Sequence, residues 1–352
     1  MAPLRFGLIG TGYWALHVHG TGLLASDHAV LEGVWGRDPA KAQDIGRRLG
    51  SKGYRDLDSL LDDVDAVAVA VPPDVQAELA VRAARAGCHL LLDKPLALTV
   101  EAALELVQAV DEAGVASVMF FTSRFRPDVE QWLVSAAEAG PWHSAHLVHY
   151  GNIFQPGNPF GNSPWRREYG ALWDIGPHGL ASLLPIMGPV TSVAARGGPT
   201  ESDTVHLVLS HGAHLEAPEP AASITTAGGE ESYLAAHSSE EAAAGTRRRA
   251  AMELDQLPIA PTSASTMSLS LTVPPAATTS QLVLYGEHGV CLRPEGNFEA
   301  VDAFTLAVQE LAEMVACGEQ RHRCDVHFGL EVVRVLAAAE EALGLPGIEL
   351  GD

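Results

Sequence analysis

Along the first third of the chain, short apolar runs alternate with stretches whose apolar positions recur at helical spacing. Leu4–Ile9 reads as a buried strand, residues 14–25 as a helix, 30–35 as a second strand and 39–49 as a second helix. The Val/Ala-dense run 64–71 and the segments 89–92 and 115–121 predict further strands. Helices over residues 75–86 and Val100–Ala113 fall between them. Continuous apolar strands separated by helices of this length predict βαβ units, hence a parallel sheet covered on both faces.

After about residue 122 the pattern changes. Residues 143–150, 190–195, 204–210, 267–273 and 281–285 read as strands without a helix between each pair, and 303–317 and 328–343 as closing helices. That pattern predicts an α+β domain with a largely antiparallel, open sheet. Between two of its strands, residues 212–265 are rich in Ala, Glu, Ser, Thr, Gly and Pro, with Tyr233 the only aromatic residue. This stretch reads as a poorly packed or flexible insertion, which a surface loop tolerates at little thermodynamic cost. A lid or partner-binding arm is the functional alternative. Arg247, Arg248 and Arg249 within it read as a solvated charge run.

The length of 352 residues fits two domains at about 100–200 residues each, divided here as 1–122 and 123–352. With 47% hydrophobic and 19% charged positions, global disorder and collagen-like structure are excluded. The net charge is −22, and a strongly acidic surface repels phosphate backbones, so nucleic acid is not expected as a partner. One compact basic pocket for a small anion remains compatible with that charge. No apolar run reaches the roughly 18 residues that span a bilayer, so no membrane partner is expected. The first twelve residues lack the features of a signal peptide. Cys88, Cys291, Cys317 and Cys324 are too few in so long a chain for a disulfide framework. A soluble, reducing, cytoplasmic setting is the expectation.

Chemistry enters with Gly10-Thr11-Gly12-Tyr13-Trp14-Ala15, which matches G-x-G-x-x-G/A. It follows the first strand and opens the first helix. The first glycine allows the tight turn, the second lets the backbone approach a pyrophosphate, and the small third residue lets helix and strand pack closely. The pyrophosphate then rests on the helix N-terminus, where free N–H groups and the dipole favour an anion. An N-terminal Rossmann dinucleotide-binding domain follows from the motif in this βαβ context. Without the motif's function, the same residues are a tight turn.

The second strand ends Val34-Trp35-Gly36-Arg37-Asp38-Pro39. An NAD site usually carries an acid there for the ribose hydroxyls. Gly36 occupies that position and leaves room for a 2′-phosphate, which the Arg37 guanidinium can bind bidentately. NADP(H) is therefore expected over NAD(H). Asp38 is the counter-argument: it serves the ribose if the turn is shifted, or caps the helix starting at Pro39.

In an open α/β sheet, ligands bind at the carboxyl ends of the strands. Asp93-Lys94-Pro95 follows the strand at 89–92 and puts Lys94 where a nicotinamide would lie. Val71 and Pro72 end the preceding strand in the same crevice, with Gln76 just beyond. Gly170-Ala171-Leu172-Trp173-Asp174-Ile175-Gly176-Pro177-His178 supplies a carboxylate and an imidazole from the second domain. Pro177 fits the first turn of a helix from His178 through Leu184. A helix N-terminus disfavours imidazolium while Asp174 favours it, so the His178 pKa is expected near the reference of about 6.5, fit for a general base.

The motifs GTGYWA, DKP, SRFRP at residues 123–127 and GALWDIGPH, with HRCDVHFGLEVVRVLAAAEEAL at 322–343, resemble the Gfo/Idh/MocA oxidoreductases. These are related to glucose–fructose oxidoreductase and inositol dehydrogenase. The resemblance covers nearly the whole chain except the insertion. It implies that Lys94, Asp174 and His178 form the catalytic group, that the substrate is a sugar, polyol or related small molecule, and that the protein is a homodimer or homotetramer. Three positions depart from the family pattern. DKP stands for the commoner EKP, Gln76 where His is frequent, and Ala181 where an Asp often follows the catalytic His. The last two bear on substrate contacts.

The expected activity is NAD(P)-dependent hydride transfer between nicotinamide and a secondary alcohol or ketone. His178 takes the hydroxyl proton, Lys94 stabilises the oxygen charge, and Asp174 holds His178 in one tautomer. Arg124, Asn152, Trp165 and Arg166 are candidate substrate contacts, with Trp165 suited to stacking on a sugar face. Tyr13 and Trp14 are placed to cover the cofactor or the substrate entrance. Alternatives on the same scaffold are a redox-assisted lyase or glycosidase, a dihydrodiol dehydrogenase, and a non-catalytic NADP-binding regulator. No metal site is expected. In His143-x-x-His146-x-x-His149, strand alternation turns His146 away from the other two, which lie too far apart to share an ion.

Overall fold

The computed structural model describes residues 2–198, 202–212, 263–296 and 299–344. The first unit is a six-stranded sheet of β1 (Leu4–Ile9), β2 (Ala29–Trp35), β3 (Lys52–Tyr54), β4 (Ala66–Val69), β5 (His89–Asp93) and β6 (Ser117–Phe120). Its order is β3-β2-β1-β4-β5-β6 with every pair parallel, the doubly wound arrangement that the alternating pattern predicts. β4 and β6 are buried along their whole length, as strands covered on both faces must be. The phosphate loop, the end of β4 and the end of β5 therefore share one carboxyl edge.

Helices α1 (Thr21–Ala25), α2 (Pro39–Arg48), α3 (Leu57–Leu61), α4 (Pro73–Arg85) and α5 (Val100–Ala113) belong to this unit. Each of α2, α3 and α5 starts at a side-chain cap, from Asp38, Asp56 and Thr99 respectively. The helix expected over 14–25 begins instead as a π-helical segment, Ala15–Gly20. β3 and α3 escaped the sequence reading because three and five residues are too short to show a period.

A second six-stranded sheet comprises β7 (Trp142–Tyr150), β8 (Val190–Gly197), β9 (Val205–His211), β10 (Ser263–Ser270), β11 (Thr279–Gly286) and β12 (Gly289–Leu292). Its order is β12-β11-β7-β10-β9-β8. The sheet is mixed, which corrects the expectation of a largely antiparallel one: β10 runs parallel to β7, while the other neighbours are antiparallel. The reason lies in the crossover of α7 (Pro164–Asp174) and α8 (Gly176–Met187), preceded in the chain by α6 (Pro127–Glu138). Two helices between β7 and β8 return the chain in β7's direction, and two reversals later β10 shares that direction. β9 and β10 pair with His211 opposite Ser263, so the segment between them leaves and re-enters at one point. Most of the expected insertion, residues 213–262, lies outside the described residues.

The last helices, α9 (Ala300–Cys317) and α10 (Val326–Leu343), both reach back to the first unit. α9 packs on α1, and α10 is held between α5 on one side and β8 and α8 on the other. All four cysteines are free thiols. Among the described residues no helix is long and apolar enough to cross a membrane.

Candidate active site

The turn after β1 is built by Gly10, whose φ of +137° suits glycine, and a Cβ there would meet the Ala70 carbonyl oxygen just past the end of β4. A Cβ at Gly12 would meet nothing within 4 Å, so its backbone faces open space. That space is a cavity of about 640 Å³ bordered by Gly10, Thr11, Gly12, Arg37, Asp38, Val71 and Pro72, all named by the sequence. Cradle, glycines and helix N-terminus fit a dinucleotide.

Arg37 is exposed at the cavity rim. Asp38 is the cap of α2, its Oδ1 accepting the N–H groups of Ala40 and Lys41 at 3.0 and 3.2 Å. A side chain at Gly36 would collide with Thr11, whose Cγ2 lies 2.6 Å from an ideal Cβ. The glycine is thus required by the phosphate loop itself. Lys41, which sequence reading missed, adds a second cation to the Arg37 rim; one helical turn from the Asp38 cap was the available signal.

A second cavity of about 540 Å³ shares Gly12, Val71 and Pro72 with the first and continues into the space between the sheets. Tyr13 and Trp14 line it from the phosphate loop, and Phe160 meets both rings from the second unit at 5.5 and 5.9 Å. Asp93, Lys94, Asp174 and His178 line it as well. Lys94 Nζ donates to Asp174 Oδ1 at 2.8 Å and to the Asp174 carbonyl at 2.5 Å. Arg166 Nε donates to Asp174 Oδ2 at 2.9 Å, with its guanidinium over the Trp165 and Phe160 rings. The Lys94 and Asp174 side chains are only 11% and 4% exposed.

Burial alone would raise the Asp174 pKa, but the Lys94 and Arg166 charges outweigh it and hold the carboxyl down at about 2. Burial pushes the His178 imidazole well below its ordinary value, and the Lys94 charge and His149 add to the effect against Asp174. This departs from the expected value near 6.5, because desolvation exceeds what one carboxylate already shared by two cations can return. His149, whose ring centroid lies 6.2 Å from that of His178, is lowered to about 4 by burial, Arg293 and Lys94. Both rings are therefore neutral at pH 7. Neither His178 ring nitrogen has a hydrogen-bond partner among the described residues, and the ring faces the cavity. Asp174 acts on it through charge, since both its oxygens are engaged by Lys94 and Arg166; a tautomer-fixing hydrogen bond from Asp174 is absent.

Residues 4–121 match the GFO_IDH_MocA oxidoreductase family, described as having an NAD-binding Rossmann fold. The chain carries the NAD-binding domain of the Gfo/Idh/MocA oxidoreductases. A levoglucosan dehydrogenase from Pseudarthrobacter phenanthrenivorans is 30% identical over 213 residues, which cover 55% of this chain and 54% of that protein. The match thus spans about half the length of the relative. Among solved structures, the GenD2 protein of gentamicin A biosynthesis, in complex with NAD, superposes with a TM-score of 0.73 at 19% identity, covering 97% of this chain and 94% of that one. A 3-ketoreductase from Actinomadura kijaniata, in complex with TDP-benzene and NADP, gives 0.64 at 18% identity, covering 97% and 98%. Likeness at this identity shows a shared fold over both units.

Three residues named by the sequence lie elsewhere than expected. Gln76, expected at the cofactor, is 1% exposed and beneath the Asp93–Leu96 turn. Its Nε2 donates to the carbonyls of Asp93 and Pro95 at 2.6 and 2.8 Å. Position 76 on α4 faces inward, so the amide braces the lysine turn from below. Arg124, expected at the substrate, is 4% exposed and bound to Glu130 at 3.0 Å and the Ala181 carbonyl at 3.1 Å. It sits in the short 3-10 turn Thr122–Phe125, turned away from the cleft. Asn152 does not border the cavity; its neighbour Ile153 does. Trp165 and Arg166 do border it. His149 also borders it, and strand parity was the signal for it: two residues beyond buried Leu147, it continues the inward face of β7. Among the described residues no cluster has the donor set of a metal site, and His146 instead meets Thr266 Oγ1 at 2.7 Å.

Proposed function

We propose that this protein transfers hydride between a nicotinamide dinucleotide and a secondary alcohol or ketone of a sugar, polyol or related small molecule. The observation that supports this most is the Lys94 ammonium. It joins the end of β5 to Asp174 across the cleft, beside a neutral imidazole and in a cavity continuous with the phosphate cradle.

Gly10, Gly12, Val71 and Pro72 would hold the dinucleotide, with NADP(H) preferred through Arg37 and Lys41 at the rim of the adenosine side. The bound nicotinamide supplies the hydride acceptor or donor. His178, neutral and cavity-facing, takes the proton of the substrate hydroxyl. Lys94 donates to the same oxygen and stabilises its developing charge. Asp174, fixed between Lys94 and Arg166, keeps that ammonium aimed. Trp165 and Phe160 offer flat surfaces for a sugar ring. The assembly is a homodimer or homotetramer, with Val290 and Leu292, exposed on the edge strand β12, as candidate contacts.

The test is absorbance at 340 nm with NADP⁺ and a panel of hexoses, inositols and glycosides. The wild type turns over at least one of them. Lys94→Ala and His178→Asn lose about a hundredfold or more while binding NADPH normally. Normal turnover in both variants would refute the assignment.

A further inference from the structure

His19 lies on the π-helical segment behind the phosphate loop and is completely buried. Its ring stands against Phe304, with centroids 4.2 Å apart, and meets the edge of Phe120 at 6.0 Å. Both ring nitrogens are sealed from solvent and have no hydrogen-bond partner among the described residues. An unpaired buried polar group costs about 1–3 kcal/mol, and native structures hold few of them. In this aromatic nest an apolar ring would fill the space without that cost.

What the imidazole faces is the DKP carboxylate. His19 Nε2 lies 3.6 Å from Asp93 Oδ2, just beyond hydrogen-bond range. The other oxygen of that carboxylate, Oδ1, accepts the backbone N–H of Lys94 at 2.9 Å. Lys94 in turn reaches Asp174. One imidazole therefore stands directly behind the group that clamps the lysine's main chain. The residue lies on a π-helical turn, with the Thr21 hydroxyl donating to the Leu16 carbonyl at 3.1 Å. Such turns are rare and concentrate at functional sites.

We infer that His19 is a positioning residue for Lys94: its Nε2–H closes onto Asp93 Oδ2, fixing the carboxylate that holds the Lys94 backbone and keeping the ammonium aimed at Asp174. Closure needs a shift of about half an ångström, within ordinary side-chain motion. The kinetic consequence rests on Lys94 acting at this site as proposed above; the hydrogen bond itself does not.

Two arms test it on the full-length protein saturated with NADPH. In the first, imidazole ¹⁵N NMR of histidine-labelled protein follows His19. A protonated, hydrogen-bonded Nε2 whose resonance moves in Asp93→Asn is the expected result. A His19 resonance indifferent to Asp93→Asn overturns the inference, whether or not any substrate is found. In the second, His19→Phe keeps NADPH affinity and thermal midpoint but lowers kcat about tenfold or more with KM unchanged, as a misplaced catalytic group does. His19→Gln, which restores a donor, recovers part of the loss. The double variant His19→Phe/Asp93→Asn is no slower than the slower single variant. Full kcat in His19→Phe, or additive losses, would also overturn it. If His19→Phe fails to fold, the first arm still decides.

Discussion

Lys94 Nζ donates to both the carboxylate and the main-chain carbonyl of Asp174, so one ammonium ties the end of β5 to the junction of α7 and α8. This contact thus ties the first unit to the helices of the second, beside the packing of α10 between α5 and β8. Stability and activity are coupled at that contact.

Removing the Asp174 charge should expose this coupling. Asp174→Asn leaves Lys94 and Arg166 without their shared anion at a site 4% exposed, and breaking a buried pair from one side costs about 3 kcal/mol. Urea denaturation at pH 7 reads the loss. The sign with pH follows from a carboxyl held at about 2 when folded. The stabilisation is present above the unfolded value of about 3.9 and is lost as pH falls through the folded one. In Asp174→Asn the acid limb of the stability curve should flatten over that window.

The histidines act in the same direction as Asp174, at higher pH. His178 and His149 have folded values below the unfolded one, so the unfolded chain binds more protons as pH falls below about 6.5. Stability therefore declines from there toward about 4, the folded value for His149. For catalysis, kcat/KM for alcohol oxidation should show no acid inflection near 6.5, because His178 stays a base below it. A pH–rate profile with a clear inflection at about 6.5 would show that His178 is not the group titrating.

At the cofactor rim, Arg37→Ala should weaken NADPH about ten- to a hundredfold and leave NADH nearly unchanged, read by fluorescence titration. Gly36→Asp alone should destabilise the protein, since its Cβ meets Thr11. With Thr11→Ala to make room, the same change should favour NADH.

Gln76→Leu removes the donor that the Asp93 and Pro95 carbonyls share. The expected destabilisation is about 1–3 kcal/mol. Calorimetry measures it, and kcat should fall more than NADPH affinity, because the brace lies under Lys94 rather than under the phosphate loop.

Much of this was legible in the chain. Gly10 and Gly12 announce the turn because no other residue fits against Ala70 or leaves the open face, and Lys94, Asp174 and His178, named from motifs of fixed spacing, do line one cavity. What was not legible depends on partners distant in sequence. Arg124 looks like any cleft arginine until Glu130 and the Ala181 carbonyl claim it. Gln76 reads as a ligand until α4 turns it beneath the DKP loop. The His178 pKa depended on burial, which no local motif reports. The parallel β7–β10 pair was hidden because it follows from the α7–α8 crossover rather than from strand periodicity.

The most direct measurement is titration of the purified protein with NADPH and then NADH, following quenching of tryptophan emission. Trp35 borders the cradle, and Trp14 and Trp165 line the adjoining cleft; these are the reporters. The account predicts saturable binding of one dinucleotide per chain, tighter for NADPH. No saturable binding of either dinucleotide up to about 1 mM, the upper end of working affinities, would contradict it.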